Sequence, residues 1–144
     1  MSCHLPEDLY YWPEKHVWAR LEQDGAVTIG ITDAAQNLAG KIVVANIRSP
    51  GKTLARGKSA GTLESGKWVG PVPTPVAGEV LEVNEAVRQP PGLINSDPYG
   101  AGWVVRLRPD DWSGDAALLV TGADGVEAYR AAIVREGIEC KEAR

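Results

Sequence analysis

Residues 59–83 read SAGTLESGKWVGPVPTPVAGEVLEV, and this stretch decides the fold class. Ser59–Ser65 and Gly78–Val83 are short runs of the kind that form β-strands. Between them, Pro71-Val72-Pro73-Thr74-Pro75 excludes a helix and a central strand, because proline lacks the backbone N–H that both structures need. Gly66-Lys67 lies where a turn would join two strands. The stretch therefore predicts a β-domain with a lysine at a hairpin tip.

The flanking sequence extends the β pattern in both directions. From His16 onward, apolar and polar side chains alternate as in a strand, and Asp24-Gly25 is a hairpin signal. Thr32–Gly40 predicts a short helix that Thr32 or Asp33 caps and that Gly40 ends. After Pro109 the apolar spacing becomes helical. Short strands at this spacing predict a mainly β sandwich or barrel of small sheets, with a short internal helix and a C-terminal helical segment.

The chain has 144 residues, a length that suits one domain. We expect residues 1–15 to form an N-terminal arm, residues 16–110 the β-domain, and residues 111–144 a helical segment and tail packed on the same domain. The tail from Ile138 is expected to be loose. Gly40, Gly78 and Gly100 are expected to have positive φ angles, because the strand pattern needs tight turns there.

Composition excludes several classes of function. The formal net charge is −4 and there is no basic run, so nothing predicts binding to nucleic acid or to an anionic membrane. No apolar stretch approaches the roughly 20 residues that span a bilayer, which argues against membrane insertion. The first residues, MSCHLPEDLYYW, lack the basic and apolar regions of a signal peptide, so a cytoplasmic location is expected.

The two cysteines, Cys3 and Cys140, lie near opposite ends of the chain. A structural disulfide is not expected in a reducing cytosol. No metal site is expected either, because neither CxxC nor HxxxH spacing occurs. We interpret the cysteines as free thiols near mobile termini, with a role in thiol exchange as the alternative.

Lys67 has two interpretations. It is either an ordinary surface lysine in a turn or a lysine that is acylated at a protruding tip. A modifying ligase must reach the amine, and the finished arm must move between partners without striking its own domain. Gly66 permits the tight turn that such a tip needs. No catalytic triad or phosphate-binding loop is present, and a β-domain this small with so few histidines rarely holds a self-contained active site, so we do not expect an enzyme.

The surrounding residues resemble the H protein of the glycine cleavage system over nearly the whole chain. The matching landmarks occur in the family's order: His16-Val17-Trp18-Ala19-Arg20, Gly30-Ile31-Thr32-Asp33-Ala34-Ala35-Gln36, Gly40-Lys41-Ile42-Val43, Glu64-Ser65-Gly66-Lys67, Pro75-Val76-Ala77-Gly78-Glu79-Val80 and Asn95-Ser96-Asp97-Pro98-Tyr99-Gly100-Ala101-Gly102-Trp103.

The resemblance implies a barrel-sandwich hybrid of the lipoyl/biotinyl-carrier type, with lipoate attached as an amide to Lys67. It implies a lipoate ligase or lipoyl-assembly enzymes as partners, and Glu64 is predicted to be an exposed recognition handle for them. Ser65, Gly66, Trp68 and Val17 are predicted to surround the arm.

The chain departs from the glycine-cleavage pattern at two acidic positions near the arm. Family members usually have Glu and Asp where this chain has Val17 and Pro71. A carboxylate beside a cationic aminomethyl cargo would make a charge-assisted hydrogen bond worth about 1.5–3 kcal/mol, and this chain lacks both carboxylates.

A second subfamily is a closer match. ESGKWVGP, the terminal cysteines and the extended tail look like the lipoate-binding proteins of the heterodisulfide-reductase-like sulfur oxidation system. That resemblance implies a sulfur cargo and a sulfur-oxidising complex as partner, with Trp68 packing against the dithiolane ring and with Cys3 or Cys140 in thiol exchange.

Three functions are therefore predicted. The first is a lipoyl carrier in sulfur oxidation. The alternative is a glycine-cleavage carrier that serves glycine decarboxylase, aminomethyltransferase and dihydrolipoamide dehydrogenase. The third is a lipoyl relay or binding scaffold.

Overall fold

The computed structural model describes residues 3–140 of the chain. Its strands are β1 (Tyr10–Trp12), β2 (Val17–Leu21), β3 (Val27–Ile31), β4 (Ile42–Ile47), β5 (Thr53–Leu54), β6 (Ser59–Ser65), β7 (Val69–Pro73), β8 (Gly78–Val83), β9 (Val105–Pro109) and β10 (Val120–Thr121). Its helices are α1 (Asp33–Ala39), α2 (Leu93–Ser96), α3 (Trp112–Ala116) and α4 (Gly122–Arg135), with a 3-10 helix at Glu85–Arg88.

The strands form two antiparallel sheets, which confirms the predicted β architecture. One sheet has seven strands in the order β10-β1-β2-β3-β9-β8-β5, and the other has three in the order β4-β6-β7. The first sheet is larger than predicted, because the short strands β1 and β10 extend it at one edge. The short internal helix is α1, and the C-terminal helical segment is α3 and α4.

The main hydrophobic core lies between the two sheets. Ile29 and Leu107 of the large sheet belong to the same buried cluster as Leu63 and Val72 of the small sheet. Burial of apolar surface on this scale is the dominant favourable term in folding. The core therefore holds the three-stranded sheet, and with it the β6–β7 hairpin, against the large sheet.

A second buried cluster covers the other face of the large sheet at its β1–β2 edge. Tyr11 and Trp18, which are opposite each other in β1 and β2, pack there with Val126, Tyr129 and Ile133 of α4. The helical segment predicted after Pro109 is therefore present, and Val126, Tyr129 and Ile133 form the buried face of α4, whereas Val134 on the same helix is 76% exposed. Among residues 3–140, no helix combines the length and the apolar character that crossing a membrane requires.

The residues predicted to form an N-terminal arm are part of the domain. Leu5 and Leu9 are 4% and 2% exposed, and β1 pairs with both β2 and β10. The described part of the predicted loose tail is also packed, since the N–H of Ile138 donates to the carbonyl of Ile133 (3.1 Å) and Cys140 is buried. The last four positions of the predicted tail lie outside the described residues.

The prediction of positive φ is correct for Gly40 but wrong for Gly78 and Gly100. Gly40 has φ +82°, whereas the other two are not among the residues with positive φ. A different constraint selects glycine at those two positions. A Cβ at Gly78 would overlap the carbonyl oxygen of Arg108, and one at Gly100 would lie 2.5 Å from Asp97 Oδ2.

Candidate functional site

Lys67 lies at the tip of the β6–β7 hairpin, where the sequence places it. The connection consists of Gly66, Lys67 and Trp68, and the N–H of Ser65 donates to the carbonyl of Trp68 (2.8 Å), which closes the turn. Lys67 is exposed. Within the described residues its ammonium group has no hydrogen bond or ion pair, so the amine is free to react.

The stem of Lys67 rests on the backbone of Gly40, the residue that ends α1. A Cβ at Gly40 would lie 3.0 Å from Cε of Lys67, which is closer than most such contacts in proteins. The helix end therefore offers a bare backbone surface beside the lysine. An acyl group on Nζ would continue outward from this contact, so the residues present fit a lysine-linked arm.

Polar contacts attach the tip to α1. The hydroxyl of Ser65 donates to the carbonyl of Ala39 (2.6 Å). The side chain of Asn95 donates to the carbonyl of Gly40 (2.8 Å) and accepts from the N–H of Ile42 (2.8 Å). Two of the carbonyls that a helix end leaves without partners are thus satisfied by the hairpin and by α2.

The sequence analysis missed the positioning role of Asn95. Asn95 opens one of the landmark motifs, but no local pattern shows that its amide would meet residues 40 and 42, which lie more than fifty positions earlier.

The opposite end of α1 is fixed by a buried hydrogen-bond chain. Thr32 caps the helix, because its hydroxyl accepts from the N–H of Ala35 (3.2 Å). The same hydroxyl contacts the Tyr129 hydroxyl (2.8 Å), which also contacts Nδ1 of His16 (2.7 Å). Burial raises the pKa of Tyr129, so this phenol stays neutral in the physiological range. The helix that supports Lys67 is therefore held at both ends.

Glu64 lies in β6, three residues before Lys67. It is half-buried and not fully exposed as predicted, because it is opposite Val44 of β4 on one side and Val69 of β7 on the other. No described residue forms a hydrogen bond or an ion pair with its carboxylate. The carboxylate is therefore available to an external partner.

Trp68 covers the end of the small sheet. Its ring lies where a Cβ of Gly70 would be, so glycine at position 70 makes room for the indole. The side chain is 37% exposed. This placement gives Trp68 a structural role at the base of the tip, and packing against an arm stays a prediction.

Val17 does not belong to the surface around the arm. It is fully buried in the main core and is opposite Ile31 in the β2–β3 pair. The prediction that Val17 surrounds the arm is wrong, because its side chain faces the main core between the two sheets. Pro71, the other position where a carboxylate was expected, is exposed on β7.

Cys3 and Cys140 are joined in a disulfide, with their Cα atoms 4.9 Å apart. The expectation of free thiols near mobile termini is wrong, because the N-terminal segment and the end of the chain pack beside each other in the second cluster. Both sulfurs lie within 4.8 Å of a carboxylate oxygen of Asp33. Each cysteine is only 3% exposed, and a role in thiol exchange stays a prediction.

The fold and the site together define a class of protein. A small two-sheet β-domain presents one unpaired lysine at a hairpin tip, and that lysine is supported from behind by a helix end. This is the arrangement of a swinging-arm carrier domain of the lipoyl type.

Comparisons with known proteins give the family. Residues 9–131 match the family model for the glycine cleavage H-protein. The chain is 47% identical over 143 residues to glycine cleavage system H protein 2 of Aquifex aeolicus, covering 99% of this chain and 89% of the relative. It is 42% identical over 142 residues to probable glycine cleavage system H protein 2 of Saccharolobus solfataricus, covering 97% of this chain and 95% of the relative.

A solved structure agrees with these relatives. The glycine cleavage system H protein from Mycobacterium marinum has a TM-score of 0.74 and 30% identity, covering 93% of this chain and all of that chain. The chain belongs to the glycine cleavage H-protein family. It is an H-protein-like lipoyl carrier, and members of the family carry lipoate covalently on a lysine. The names of these relatives refer to the glycine cleavage system.

Proposed function

We propose that Lys67 carries the lipoyl group and that the protein shuttles an aminomethyl cargo within the glycine cleavage system. Its partners would be glycine decarboxylase, aminomethyltransferase and dihydrolipoamide dehydrogenase, as they are for the family. The observation that carries this proposal is the unpaired amine of Lys67 at an exposed tip, with its stem resting on Gly40.

The residues around Lys67 have distinct roles in this function. Attached lipoate supplies the dithiol to which cargo is bound. Ser65 and Asn95 hold the tip and α1 together, so the arm starts from a fixed point. A fixed starting point limits the volume that the arm explores, and this raises its effective concentration at a docked partner. The exposure of Lys67 lets the arm leave its own domain.

A sulfur cargo is the second candidate, and one observation favours it. Residues 65–78, which include the turn and β7, contain no acidic residue. The turn and β7 therefore offer no carboxylate of their own to a cationic aminomethyl group, whereas a neutral or anionic sulfur group would need none.

The experiment that separates the two cargoes is glycine-dependent exchange of carbon dioxide by glycine decarboxylase. We expect the lipoylated protein to support a rate close to that of an established H protein of the family. One missing charge-assisted contact, at the exposed position of Pro71, would be worth about 1.5–3 kcal/mol, so a deficit of ten-fold or more would favour the sulfur cargo.

Glu64 is proposed to be a recognition handle for the lipoylating enzyme. Glu64→Ala should slow lipoylation by about ten-fold, since a charge-assisted hydrogen bond to a ligase contributes about 1.5 kcal/mol or more. The melting temperature should barely change, because the carboxylate has no partner within the described residues. The matched control is Glu127→Ala on the exposed face of α4. Equal lipoylation rates for the two variants would show that the lipoylating enzyme does not recognise Glu64.

We propose that Gly40 is required for stability, because its φ is positive, and for lipoylation, because its backbone lies against Lys67. The variant Gly25→Ala separates these two requirements. Gly40→Ala should cost about 1 kcal/mol or more, because φ is +82°, and it should slow lipoylation because the new methyl group would press on Lys67. Gly25→Ala introduces the same backbone strain, because φ there is +86°, but no atom of another residue lies within 4 Å of the new Cβ. We expect both variants to lose similar stability and only Gly40→Ala to be lipoylated slowly. If Gly25→Ala is also lipoylated slowly, the slow lipoylation of Gly40→Ala results from the loss of stability alone.

A further inference from the structure

Three side chains that can bind a metal ion meet beside the start of α1. Cys3 precedes β1, Cys140 follows α4, and Asp33 is the first residue of α1. The two sulfurs and a carboxylate oxygen of Asp33 all lie within 4.8 Å of one another. The lack of CxxC and HxxxH spacing does not bear on this group, because its members come from three distant parts of the chain.

Hydrogen bonds fix the direction of the Asp33 carboxylate. Its Oδ2 atom accepts from the backbone N–H of His4 (2.8 Å), and its Oδ1 atom accepts from the side chains of Gln36 (2.8 Å) and Asn37 (3.1 Å). An ionised carboxylate has about four lone-pair sites, so these three bonds leave room for a metal ion. Partners of this kind are what orient carboxylates that bind metals.

The backbone around the two cysteines is held by contacts that do not involve sulfur. The guanidinium of Arg130 donates to the carbonyl of Cys3 (2.7 Å), and the N–H of Ile138 donates to the carbonyl of Ile133 (3.1 Å). Both cysteines are 3% exposed and pack in the second buried cluster. The two side chains therefore stay close to Asp33 when no bond joins their sulfurs.

We propose that the reduced chain binds one Zn²⁺ ion through the thiolates of Cys3 and Cys140 and the carboxylate of Asp33. Zinc takes thiolate and carboxylate ligands in a tetrahedral arrangement, and water would fill the fourth position, since the group has three members within the described residues. The mixture of sulfur and oxygen ligands favours Zn²⁺ over Mg²⁺, which prefers oxygen, and over Cu(I), which prefers sulfur.

The zinc site and the disulfide are two states of the same pair of cysteines. Binding of Zn²⁺ releases the two thiol protons to solvent. Oxidation instead transfers two electrons and two protons from the thiols to a disulfide oxidant, which becomes a dithiol, and the Cys3–Cys140 bond forms. Either state joins the N-terminal segment to the residues after α4, so the two ends of the chain are held together in reducing and in oxidising surroundings.

The first test measures zinc affinity by competition with a chromophoric chelator, after the full chain has been reduced with a phosphine and freed of it without air. We expect one Zn²⁺ and two released protons per chain, and no binding at this site by the oxidised protein. A hundred-fold excess of Mg²⁺ should not displace the zinc.

Matched variants show whether the three side chains are the ligands. Asp33→Asn keeps both cysteines and should weaken zinc binding at least ten-fold, because loss of even an indirect partner of a metal site costs about 10–100-fold in affinity. Cys3→Ser should weaken it at least as much. The control is Asp124→Asn, which also removes an acidic residue from the first turn of a helix and should bind zinc like the parent. Circular dichroism checks that each variant is folded.

Two readouts on the parent itself do not depend on any variant. Zinc should slow alkylation of both cysteines at least ten-fold. At free zinc of about 100 times the Kd, it should also raise the melting temperature of the reduced protein by about 5–10 °C, and leave that of the oxidised protein unchanged.

The inference is overturned if the reduced, folded parent binds no zinc or is alkylated at the same rate with and without it. Equal affinity of the parent and Asp33→Asn, or of the parent and Cys3→Ser, would overturn it as well. Lys67→Arg should bind zinc like the parent, so failure of the zinc site and failure of the proposed lipoyl function are separate results.

Discussion

Lys67→Arg should fold like the parent and support no exchange of carbon dioxide from glycine. The side chain is exposed and makes no polar contact in the described structure, so the free energy of unfolding should change by no more than about 0.5 kcal/mol. Arginine keeps the charge but offers no amine that could form the lipoyl amide. Thermal unfolding checks the first expectation, and the exchange rate checks the second.

The matched control for this experiment is Lys58→Arg, which changes an exposed lysine at the far end of β6. It should be lipoylated and active like the parent. Residual exchange by Lys67→Arg would mean that another lysine carries an arm, and loss of folding would mean that the tip contributes to stability in a way that its contacts do not reveal.

Val17→Glu should be strongly destabilising. Val17 is fully buried in the main hydrophobic core, where it packs among apolar side chains. A carboxylate there would be either charged without a partner or neutral at the cost of a shifted pKa, and we expect a loss of about 3 kcal/mol or more. Chemical denaturation, with the midpoint and slope compared with those of the parent, measures this loss.

Pro71→Glu is the matched control, because it places a carboxylate at an exposed position of β7, an edge strand. It should change the free energy of unfolding by less than about 0.5 kcal/mol. A cost below 1 kcal/mol for Val17→Glu would show that the start of β2 is open to solvent. In that case position 17 could face the arm, as the sequence analysis predicted.

The features that the sequence predicted correctly depend on neighbours along the chain. Asp24-Gly25 forms the β2–β3 turn, with Gly25 at φ +86°. Thr32 caps α1 and Gly40 ends it. The tip at Gly66-Lys67 belongs to the same group, because a hairpin turn is fixed by the two or three residues that form it.

The features that it missed depend on contacts between distant parts of the chain. The pairing of β1 with β10 and the Cys3–Cys140 disulfide both join the two ends of the chain. The first fifteen residues have a polar, proline-containing composition, and nothing local shows that Leu5, Leu9 and Tyr11 would be buried against α4.

The burial of β2 was missed for the same reason. Its alternating pattern predicts one buried face, but Val17, Trp18 and Ala19 are all fully buried. The main core covers one face, and α4 with the N-terminal segment covers the other. A strand that is covered on both sides loses the alternation that would show which side chains face outward.

The most direct test of the central claim is peptide mapping by tandem mass spectrometry of the protein purified from cells that make lipoate. We expect a single lipoyl group, linked as an amide to Nζ of Lys67, and no lipoyl group on Lys41 or Lys58. A lipoyl group on either of those lysines with Lys67 unmodified, or a protein that an active ligase and lipoate leave unmodified at Lys67, would contradict the account.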